Sequence, residues 1–386
     1  MRLIHTADWH LGRLFHNLHL TADQRFILDG LVELIAELQA DALIVAGDVF
    51  DRAVPPTEAV ELLDDVVARV ALELEVPVVM IAGNHDSPAR LQYFSGLARR
   101  AGVHVVGQVG GQPIPARITG RDGVDVEFWP LAYTDPETGR AELGRDDLHS
   151  HEAVVAAQLE LVRQRLDEGA RQVVLAHAFV AGGAESESER ALSVGGSGVV
   201  SAGIFAGFDY VALGHLHRPQ SVGGERVRYA GSLLKYSFEE AEHQKSVSVI
   251  DLGRDGALSM GEHYLAPRRN LRRVQGSLAE LLASPLTLED GDAYVEVVLT
   301  DEDPVLDPMD KLRKVFPHLL SLRRLQTERL VLEGQGGVGG LEAQSPEELF
   351  GAFFEEVTGE QLSEPQEKEV AAAIDEVERL RREVVR

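Results

Sequence analysis

Five short blocks of this sequence place metal-binding side chains directly after an apolar run. The blocks are Asp8-Trp9-His10, Gly47-Asp48, Gly83-Asn84-His85, Ala176-His177 and Gly214-His215-Leu216-His217. Their polar side chains are carboxylates, imidazoles and one amide, and the chain contains no cysteine. Oxygen and nitrogen ligands without sulfur suit hard or borderline divalent ions. The blocks therefore predict a site for Mn²⁺, with Mg²⁺, Fe²⁺ or Zn²⁺ as alternatives.

The number of candidate ligands indicates two ions rather than one. They are Asp8, His10, Asp48, Asn84, His177, His215 and His217. One carboxylate, most naturally Asp48, would bridge the two ions. Residues two apart in an extended segment point the same way, so we expect Asp8 and His10 to face one centre. Two ions about 4 Å apart form a clamp suited to phosphoryl transfer.

His85 stands beside a predicted ligand and need not bind metal itself. Cleavage of a phosphodiester needs a group that protonates or stabilises the leaving oxygen, and an imidazole can do this. The carboxylate of Asp51 is a candidate to orient that imidazole. Asp86 is expected to support the site or form a turn. Each block alone also fits a turn or a core histidine, so the metal interpretation depends on their occurring together.

The elements expected to position these blocks are strands that alternate with helices. Residues 21–40 and 56–74 have helical apolar spacing, and Thr21 with Gln24 forms a capping-box pattern. This alternation indicates an α/β fold, in which ligands bind beyond the carboxyl ends of the strands. The polar, glycine-rich stretch 181–198 is predicted to be a surface loop that faces the substrate.

Composition and pattern divide the chain into four predicted parts. They are an α/β domain at 1–266, a small α+β domain at 267–333, a glycine-rich linker at 334–344 and a helical tail at 345–386. The tail carries the apolar residues Leu349, Phe350, Phe353, Phe354, Val370, Ile374 and Val377. Two helices that cannot form a core of their own need a surface. The tail is therefore expected to bind a partner or to pack back on its own domain.

The net charge of −26 argues against binding a polyanion. Residues 267–333 are closer to neutral, with 10 Lys+Arg against 12 Asp+Glu. This part contains the arginines predicted to hold a DNA backbone, Arg268, Arg269, Arg272, Arg273, Arg323 and Arg324. Their alternative role is a solvated surface. No apolar run approaches the ~18 residues of a membrane span, and no signal peptide is evident, which predicts a cytoplasmic, nucleoid-associated protein.

Together the five blocks resemble the signature of the calcineurin-like metallophosphoesterases. The resemblance covers residues 1–266 and implies two central β-sheets flanked by helices, followed by a small capping domain. It implies Asp8, His10, Asp48 and His217 on one metal, and Asp48, Asn84, His177 and His215 on the other. His85 matches the catalytic histidine of the family. The stretch "GDVFDR" resembles the form in which the second aspartate, here Asp51, supports that histidine.

Further stretches resemble the bacterial SbcD family, the nuclease subunits of SbcCD DNA-repair complexes. They are "TADWHLGR", "GDVFDRAVPP", "ESERALSVGGSGVV", "DYVALGHLHRPQ" and "SPEELFGAFFEEVTG". The resemblance implies Mn²⁺-dependent 3′→5′ exonuclease activity on duplex DNA and endonuclease activity on single strands and hairpins. It also implies a nuclease homodimer within a heterotetramer. There the tail would bind the coiled-coil base of the SbcC ATPase, which gates access to DNA.

Two other classes of function fit parts of the same pattern. A metallophosphatase or phosphodiesterase acting on small nucleotides or a phosphoprotein needs the metal site alone, but has no use for the small domain and the tail. A non-catalytic scaffold for DNA and an ATPase has no use for His85 and a full ligand set. Cleavage of duplex or hairpin DNA in Mn²⁺ separates the three.

Overall fold

The computed structural model describes most of the chain. The described residues are 1–189, 198–283, 291–301, 303, 305–325, 362, 363, 366 and 370. The predicted linker at 334–344 lies outside them, and so do Leu349, Phe350, Phe353, Phe354, Ile374 and Val377 of the predicted tail surface. Val370 is described, and it is helical and half-buried.

The strands lie along the whole described chain. In chain order they are β1 (Arg2–Thr6), β2 (Leu14–Phe15), β3 (Leu18–His19), β4 (Ala42–Ala46), β5 (Val78–Ile81), β6 (Val103–Val106), β7 (Ala116–Thr119), β8 (Asp125–Leu131), β9 (Arg171–His177), β10 (Phe179–Val180), β11 (Val199–Val200), β12 (Tyr210–Gly214), β13 (Gln220–Ser221), β14 (Val227–Tyr229), β15 (Ser246–Leu252), β16 (Leu258–Tyr264), β17 (Leu271–Gly276), β18 (Tyr294–Leu299) and β19 (Leu319–Arg324).

The helices fall mainly between the strands of the first part of the chain. They are α1 (Thr21–Glu37), α2 (Thr57–Ala68), α3 (Pro88–Leu91), α4 (Ser95–Ala98), α5 (Pro136–Leu143), α6 (His151–Arg163), α7 (Leu278–Ala283) and α8 (Pro308–Leu312). Short 3₁₀ or π turns occur at Arg69–Glu73, Arg99–Ala101, Ala202–Phe205 and Phe238–Glu242.

Two six-stranded sheets form the centre of the fold. The first has the order β16-β15-β1-β4-β5-β6, in which β1, β4, β5 and β6 run parallel. The second has the order β13-β14-β12-β9-β8-β7, in which β14, β12, β9 and β8 run parallel. Each sheet therefore has one edge at which the carboxyl ends of neighbouring parallel strands meet.

Alternate side chains of the strands face different cores. In β1, Leu3 packs in a core shared by the two sheets, whereas Ile4 packs with residues of α1 and α2 on the outer face. In β9, Leu175 enters the shared core, whereas Val174 packs with α6 on the other outer face. This period-two alternation gives four layers, helix, sheet, sheet and helix. The predicted sandwich of two sheets flanked by helices is confirmed.

The start of α1 differs from its predicted capping box. The residue before the helix is Leu20, and no side chain caps the first turn. Gln24 instead donates from Nε2 to the carbonyl of His10 at 2.7 Å and accepts at Oε1 from the backbone N–H of Gly12 at 3.1 Å. A long amide can satisfy a neighbouring loop as readily as its own helix end. Gln24 therefore holds the loop that follows β1.

The described chain divides into two compact units. One contains Met1–Val297 and Leu306–Leu322, and the other contains Val298–Val305 and Arg323–Arg386. Strands β17, β18 and β19 form a three-stranded sheet with β18 in the middle. The four-part division predicted from composition stays a prediction. Ser363 donates from its backbone N–H to Gln366 Oε1 at 2.9 Å.

Candidate metal centre

Most of the candidate ligands lie in loops just after the strands, and His177 is the last residue of β9. Strand β1 ends at Thr6 and β12 at Gly214. The backbone then turns left-handed, with positive φ at Asp8 (53°), His10 (45°), Asp48 (48°) and His215 (107°). The extended geometry does not persist to these residues, so it is not the reason that Asp8 and His10 face one centre. Such conformations are costly outside glycine and occur often at functional sites.

Hydrogen bonds between neighbouring loops replace the strand geometry. The backbone N–H of Asp8 donates to the carbonyl of Gly47, and that of His10 donates to the carbonyl of Asp48, both at 3.0 Å. The loops after β1 and β4 therefore run side by side as the parallel strands do. Their side chains are brought to one place by this pairing.

Asp48 lies at the middle of the cluster. Its Oδ2 is 3.7 Å from His10 Nε2, 3.5 Å from His177 Nε2 and 4.0 Å from His85 Nε2. Its Oδ1 accepts from the backbone N–H of His85 at 2.9 Å. Asp48 is 2% exposed, so its charge is screened very little by water. One carboxylate thus faces imidazoles that come from three different loops.

On one side of Asp48 lie Asp8, His10 and His217. The Nε2 atoms of His10 and His217 are 3.1 Å apart, although the two residues come from different sheets. One ligand atom from each of the three residues lies within 4.8 Å of the others. Asp8 also accepts from the backbone N–H of His215, at 3.0 and 3.2 Å, which ties the second sheet to the first.

On the other side of Asp48 lie Asn84 and His177. The Nε2 of His177 is 2.9 Å from Asn84 Oδ1, and its Nδ1 is 2.9 Å from the carbonyl of Ala46. A bond from Nδ1 to a carbonyl fixes the tautomer and leaves Nε2 free to bind a cation. The His215 ring packs edge-on against His177, with centroids 5.5 Å apart. His177 is therefore oriented by a main-chain contact.

His85 is oriented by a different atom of Asp51 from the one expected. Its Nδ1 lies 2.8 Å from the backbone carbonyl of Asp51, not from the carboxylate. The carboxylate accepts from Arg13 Nη1 at 2.7 Å and lies 3.5 Å from His10 Nδ1. Asp51 therefore contacts both imidazoles, one through its main chain and the other through its side chain.

Asp86 supports the loops, as expected from the sequence. Its carboxylate accepts from the backbone N–H groups of Val49, Phe50 and Gly83 at 2.8–3.1 Å. Gly83 is required here for space, since a Cβ at this position would lie 2.2 Å from Asp48 Oδ1. Asp86 and the missing side chain of Gly83 thus fix the approach of two loops.

Burial and the mutual repulsion of carboxylates shift the acid–base properties of the cluster. Burial, followed by the charge of Asp48, raises the pKa of Asp8 to about 7, although His177 and His10 oppose this. Burial acts against the charged form of His177, but Asp48 and Asp8 prevail and raise its pKa to about 9.

Four residues that sequence reasoning missed hold His217 in place. Glu240 Oε1 lies 3.4 Å from His217 Nδ1, and Ser188 Oγ lies 2.7 Å from the same atom. Glu189 accepts from the backbone N–H of His217 at 2.6 Å, and Lys245 donates to its carbonyl at 2.8 Å. Lys245 also forms a buried ion pair with Glu240 at 2.5 Å.

These supporting residues are far from His217 in sequence. Glu240 and Lys245 lie just before β15, and Ser188 with Glu189 belongs to the polar stretch 181–198. Burial opposes the charged form of Glu240, but Lys245 and His217 hold its pKa well below the usual range. A lysine directly before an apolar strand was the one sequence signal that pointed to this pair.

The predicted DNA-binding arginines are not all alike. Arg269 pairs with Asp292 at 3.1 Å, and Arg273 pairs with Glu296 at 2.6 Å. Arg268 and Arg323 are exposed, Arg272 is half-buried, and Arg324 donates to the carbonyl of Val305 at 3.4 Å. The described contacts thus give Arg269 and Arg273 structural partners.

The donor set fits divalent ions. One group of possible ligands is Asp8, His10 and His217. A second is Asp8, Asp48 and His177, and a third is His10, Asp51 and His85. Within each group the ligand atoms lie within 4.8 Å of one another. All these donors are carboxylate oxygens or imidazole nitrogens, and Asn84 adds a neutral oxygen. Buried carboxylates this close together are costly unless a cation or a proton compensates them. The cluster can therefore hold metal ions, which would supply that compensation.

Comparison with known families agrees with this geometry. Residues 1–219 match the family model described as calcineurin-like phosphoesterase. The chain belongs to this family. Residues 267–358 match a second model, SbcD_C, described as "Type 5 capsule protein repressor C-terminal domain". The pair of matches confirms the SbcD-type resemblance predicted from the motifs. Members of the phosphoesterase family use divalent metals, so the chain is a metal-dependent phosphoesterase.

Among solved structures, the chain is similar to the crystal structure of TT1561 of Thermus thermophilus. The sequence identity is 14% and the TM-score 0.38, and the match covers 68% of this chain and 98% of that one. Among the described residues, no helix has both the length and the apolar character needed to cross a membrane.

Proposed function

We propose that this chain is the nuclease subunit of a DNA double-strand-break repair and hairpin-processing complex. It would hydrolyse DNA phosphodiesters at a two-metal centre, as a 3′→5′ exonuclease on duplexes and an endonuclease on single strands and hairpins. The observation that carries the proposal is the position of Asp48 Oδ2 among His10, His177 and His85. The two family matches support a nuclease rather than a general phosphatase.

The proposed ligands divide around Asp48, which would bridge. One ion would be held by Asp8, His10, Asp48 and His217, and the other by Asp48, Asn84, His177 and His215. Mn²⁺ is the proposed ion, because the donors are hard or borderline and include no sulfur. Bound ions would supply positive charge to the phosphate oxygens and would acidify the water that attacks phosphorus.

His85 is the proposed proton donor. Its Nδ1 lies 2.8 Å from the carbonyl of Asp51, which orients the ring and leaves Nε2 facing Asp48. His85 would act in its imidazolium form, with Nδ1–H donating to the Asp51 carbonyl and a second proton on Nε2. As the water-derived hydroxide adds to phosphorus and the opposite P–O bond breaks, the Nε2 proton would pass to the leaving oxygen. Asp51 would position this imidazole through its main chain, and its carboxylate would help to hold His10.

DNA and SbcC are the proposed partners. The net charge of −26 predicts weak DNA binding by the isolated chain, with a steep dependence on salt. Arg268, which is exposed, is a better candidate for a phosphate contact than Arg269 and Arg273, which have acidic partners. The tail at 345–386 would bind the coiled-coil base of the SbcC ATPase. A nuclease homodimer within a heterotetramer is part of the same proposal.

A phosphatase or phosphodiesterase that acts on small nucleotides is the second candidate. The metal cluster and His85 would serve it equally well, because both reactions stabilise the same charge at phosphorus. The match of residues 267–358 to the SbcD_C model favours the nuclease.

The test is cleavage of end-labelled duplex and hairpin DNA in Mn²⁺, with and without SbcC and ATP. The wild type should cut both substrates, and His85→Ala should lose cleavage by at least about a hundredfold while it keeps bound metal. His149→Ala is the matched control, because His149 is exposed and lies outside the cluster.

Three outcomes would decide against parts of the proposal. Unchanged cleavage by His85→Ala would remove the proton-donor role. Loss of metal in that variant would show that His85 is a ligand. Hydrolysis of small phosphoesters without any cleavage of DNA, even with SbcC present, would favour the second candidate.

A further inference from the structure

A second concave site lies on the first compact unit, lined by residues other than the proposed ligands. It is a cavity of about 450 Å³ between the start of α1, the segment 233–245, the end of β16 and the start of β17. Its apolar lining includes Leu20, Leu234, Leu265 and Leu271, and Tyr264 and Tyr294 add aromatic surface. This size and this mixture of surfaces are typical of small-ligand pockets.

Positive charge is concentrated in this cavity. Lys235, Lys245, Arg269 and Arg272 line it, against the acidic residues Asp23 and Glu242. Lys245 and Arg269 are paired with acidic residues of the protein, at 2.5 and 3.1 Å. Lys235 bonds only to neutral oxygens among its described contacts, the carbonyl of Ala241 and Asn270 Oδ1. In a chain of net charge −26, a cationic cavity is suited to an anion.

The charge and the hydrogen bonding of Lys235 are suited to binding an anion. Burial, and then the positive charges of Arg272 and Lys245, lower the pKa of Lys235 to about 8. A phosphate beside this ammonium would offset both effects. An ammonium has three donors, and two of them bond to Ala241 and Asn270, so one is left for a ligand.

The cavity also contains an acceptor without a donor. Asp23 is 3% exposed, and its Oδ2 accepts from Tyr294 O–H at 2.9 Å. Its Oδ1 is buried and has no hydrogen-bond partner among the described residues. Because Oδ1 has almost no accessible surface, Asp23 forms part of the cavity wall without offering this oxygen to a ligand. The contact with an anion therefore depends on Lys235.

We propose that this cavity binds a deoxynucleoside monophosphate. The phosphate lies beside Lys235 and Arg272, and the base packs on the leucine and tyrosine surface. Inorganic phosphate would leave most of the volume and the apolar surface unused. The choice of a deoxynucleotide rests on the proposed function, because hydrolysis of DNA is a source of such molecules.

The cavity is linked to the metal centre by one residue. Lys245 lines the cavity and donates to the carbonyl of His217, whose side chain is in the cluster. Residues 241–245 follow Glu240 in the chain, and the carboxylate of Glu240 lies beside His217 Nδ1. A bound nucleotide would therefore contact the segment that supports a proposed ligand.

The test is isothermal titration of the full chain with dAMP in EDTA, which removes metal-dependent binding at the cluster. Saturable binding with a dissociation constant below about 1 mM is expected. Deoxyadenosine and inorganic phosphate should each bind at least about tenfold more weakly than dAMP. Lys235→Gln should weaken dAMP binding by a similar factor. Arg254→Gln, an exposed arginine outside the cavity, is the matched control.

The results of this titration test ligand binding in the cavity independently of the nuclease activity. Absence of dAMP binding in EDTA, or wild-type affinity in Lys235→Gln, would overturn the proposal. Equal affinity for inorganic phosphate and dAMP would also overturn it, since the base would then contribute nothing. Lys235→Gln should still cleave DNA in Mn²⁺, so a failure of nucleotide binding and a failure of the nuclease proposal are distinguished.

Discussion

The metal centre and the arginine segment 268–273 arrange charged side chains in opposite ways. In the centre, Asp8 and Asp48 are 0% and 2% exposed, so both carboxylates are buried among the other side chains of the cluster. In the arginine segment, Arg269 and Arg273 each lie against a carboxylate of the protein. The first region buries carboxylates close to one another, and the second balances opposite charges near the surface.

This difference distinguishes residues that bind a ligand from residues that stabilise the fold. A protein gains little stability from two buried carboxylates beside each other, so their proximity indicates a binding site for a cation. An arginine that pairs with a carboxylate already has a structural role. The sequence motifs of the centre are therefore stronger indicators of function than the arginine pairs.

The largest effect should come from Asp48. Asp48→Asn removes the charge that faces three imidazoles, and we expect DNA cleavage to fall by at least about a thousandfold. Metal content, measured on the dialysed protein, should fall as well. Asp64→Asn, at an exposed position of α2, is the control and should behave as the wild type. Full activity of Asp48→Asn would remove the contrast between the two regions.

A buried histidine outside the cluster tests whether burial alone accounts for the centre. Burial, followed by the charge of Arg228, lowers the pKa of His5 to about 3. The unfolded chain then binds more protons than the folded one between about pH 3 and pH 6.5, so the free energy of unfolding falls as the pH falls through this window. Between pH 6.5 and pH 5 this contribution is about 2 kcal/mol.

The measurement is urea denaturation of metal-free wild type and His5→Gln at several pH values. The wild type should lose more stability than the variant as the pH falls, and the two proteins should bind equal amounts of metal when it is restored. Parallel curves for the two proteins would contradict the shift assigned to His5. A loss of metal binding in His5→Gln would show that burial of an imidazole, without the surrounding carboxylates, influences the centre.

A smaller effect is expected from Glu240, which contacts a proposed ligand and not the metal. Glu240→Gln keeps the shape but removes the charge beside His217 Nδ1, so metal affinity should fall by about 10- to 100-fold. Glu239→Gln is the matched control, because Glu239 is adjacent and exposed. Metal titration of both variants separates positioning from a general change of charge. Equal affinities would remove Glu240 from the account.

The smallest effects concern the arginine segment. Arg273→Gln would leave Glu296 buried without its cation, and we expect a loss of about 1–3 kcal/mol in the free energy of unfolding. Arg268→Gln should leave stability unchanged and reduce the salt slope of DNA binding by about 0.9, the value for one phosphate contact. Denaturation and salt-dependent DNA binding, measured on both variants, would show whether the two arginines differ in this way.

The sequence predicted the layers and the five blocks but not how the blocks converge. Alternating strands and helices indicated an α/β fold and the edge at which the site lies, whereas the two-sheet sandwich was implied by the family resemblance. The convergence depends on left-handed backbone at Asp8, His10 and Asp48, which period-two reasoning does not represent. Local pattern fixes which elements form, whereas the path of a loop depends on hydrogen bonds to its neighbour.

The residues that support His217 were missed for a related reason. Ser188, Glu240 and Lys245 meet His217 through tertiary contacts, and nothing in their own surroundings in the sequence resembles a ligand block. The role expected for the Asp51 carboxylate differed from the structure because a backbone carbonyl has no sequence signal. Side chains with chemistry are visible in a sequence, but main-chain acceptors are not.

The most direct test of the two-metal centre is anomalous diffraction from crystals grown in Mn²⁺, recorded at the manganese edge. The account predicts two peaks about 4 Å apart, with Asp48 in contact with both. His10 and His217 should contact one peak, and His177 with Asn84 should contact the other. A single peak, or two peaks that do not share Asp48, would contradict the central claim.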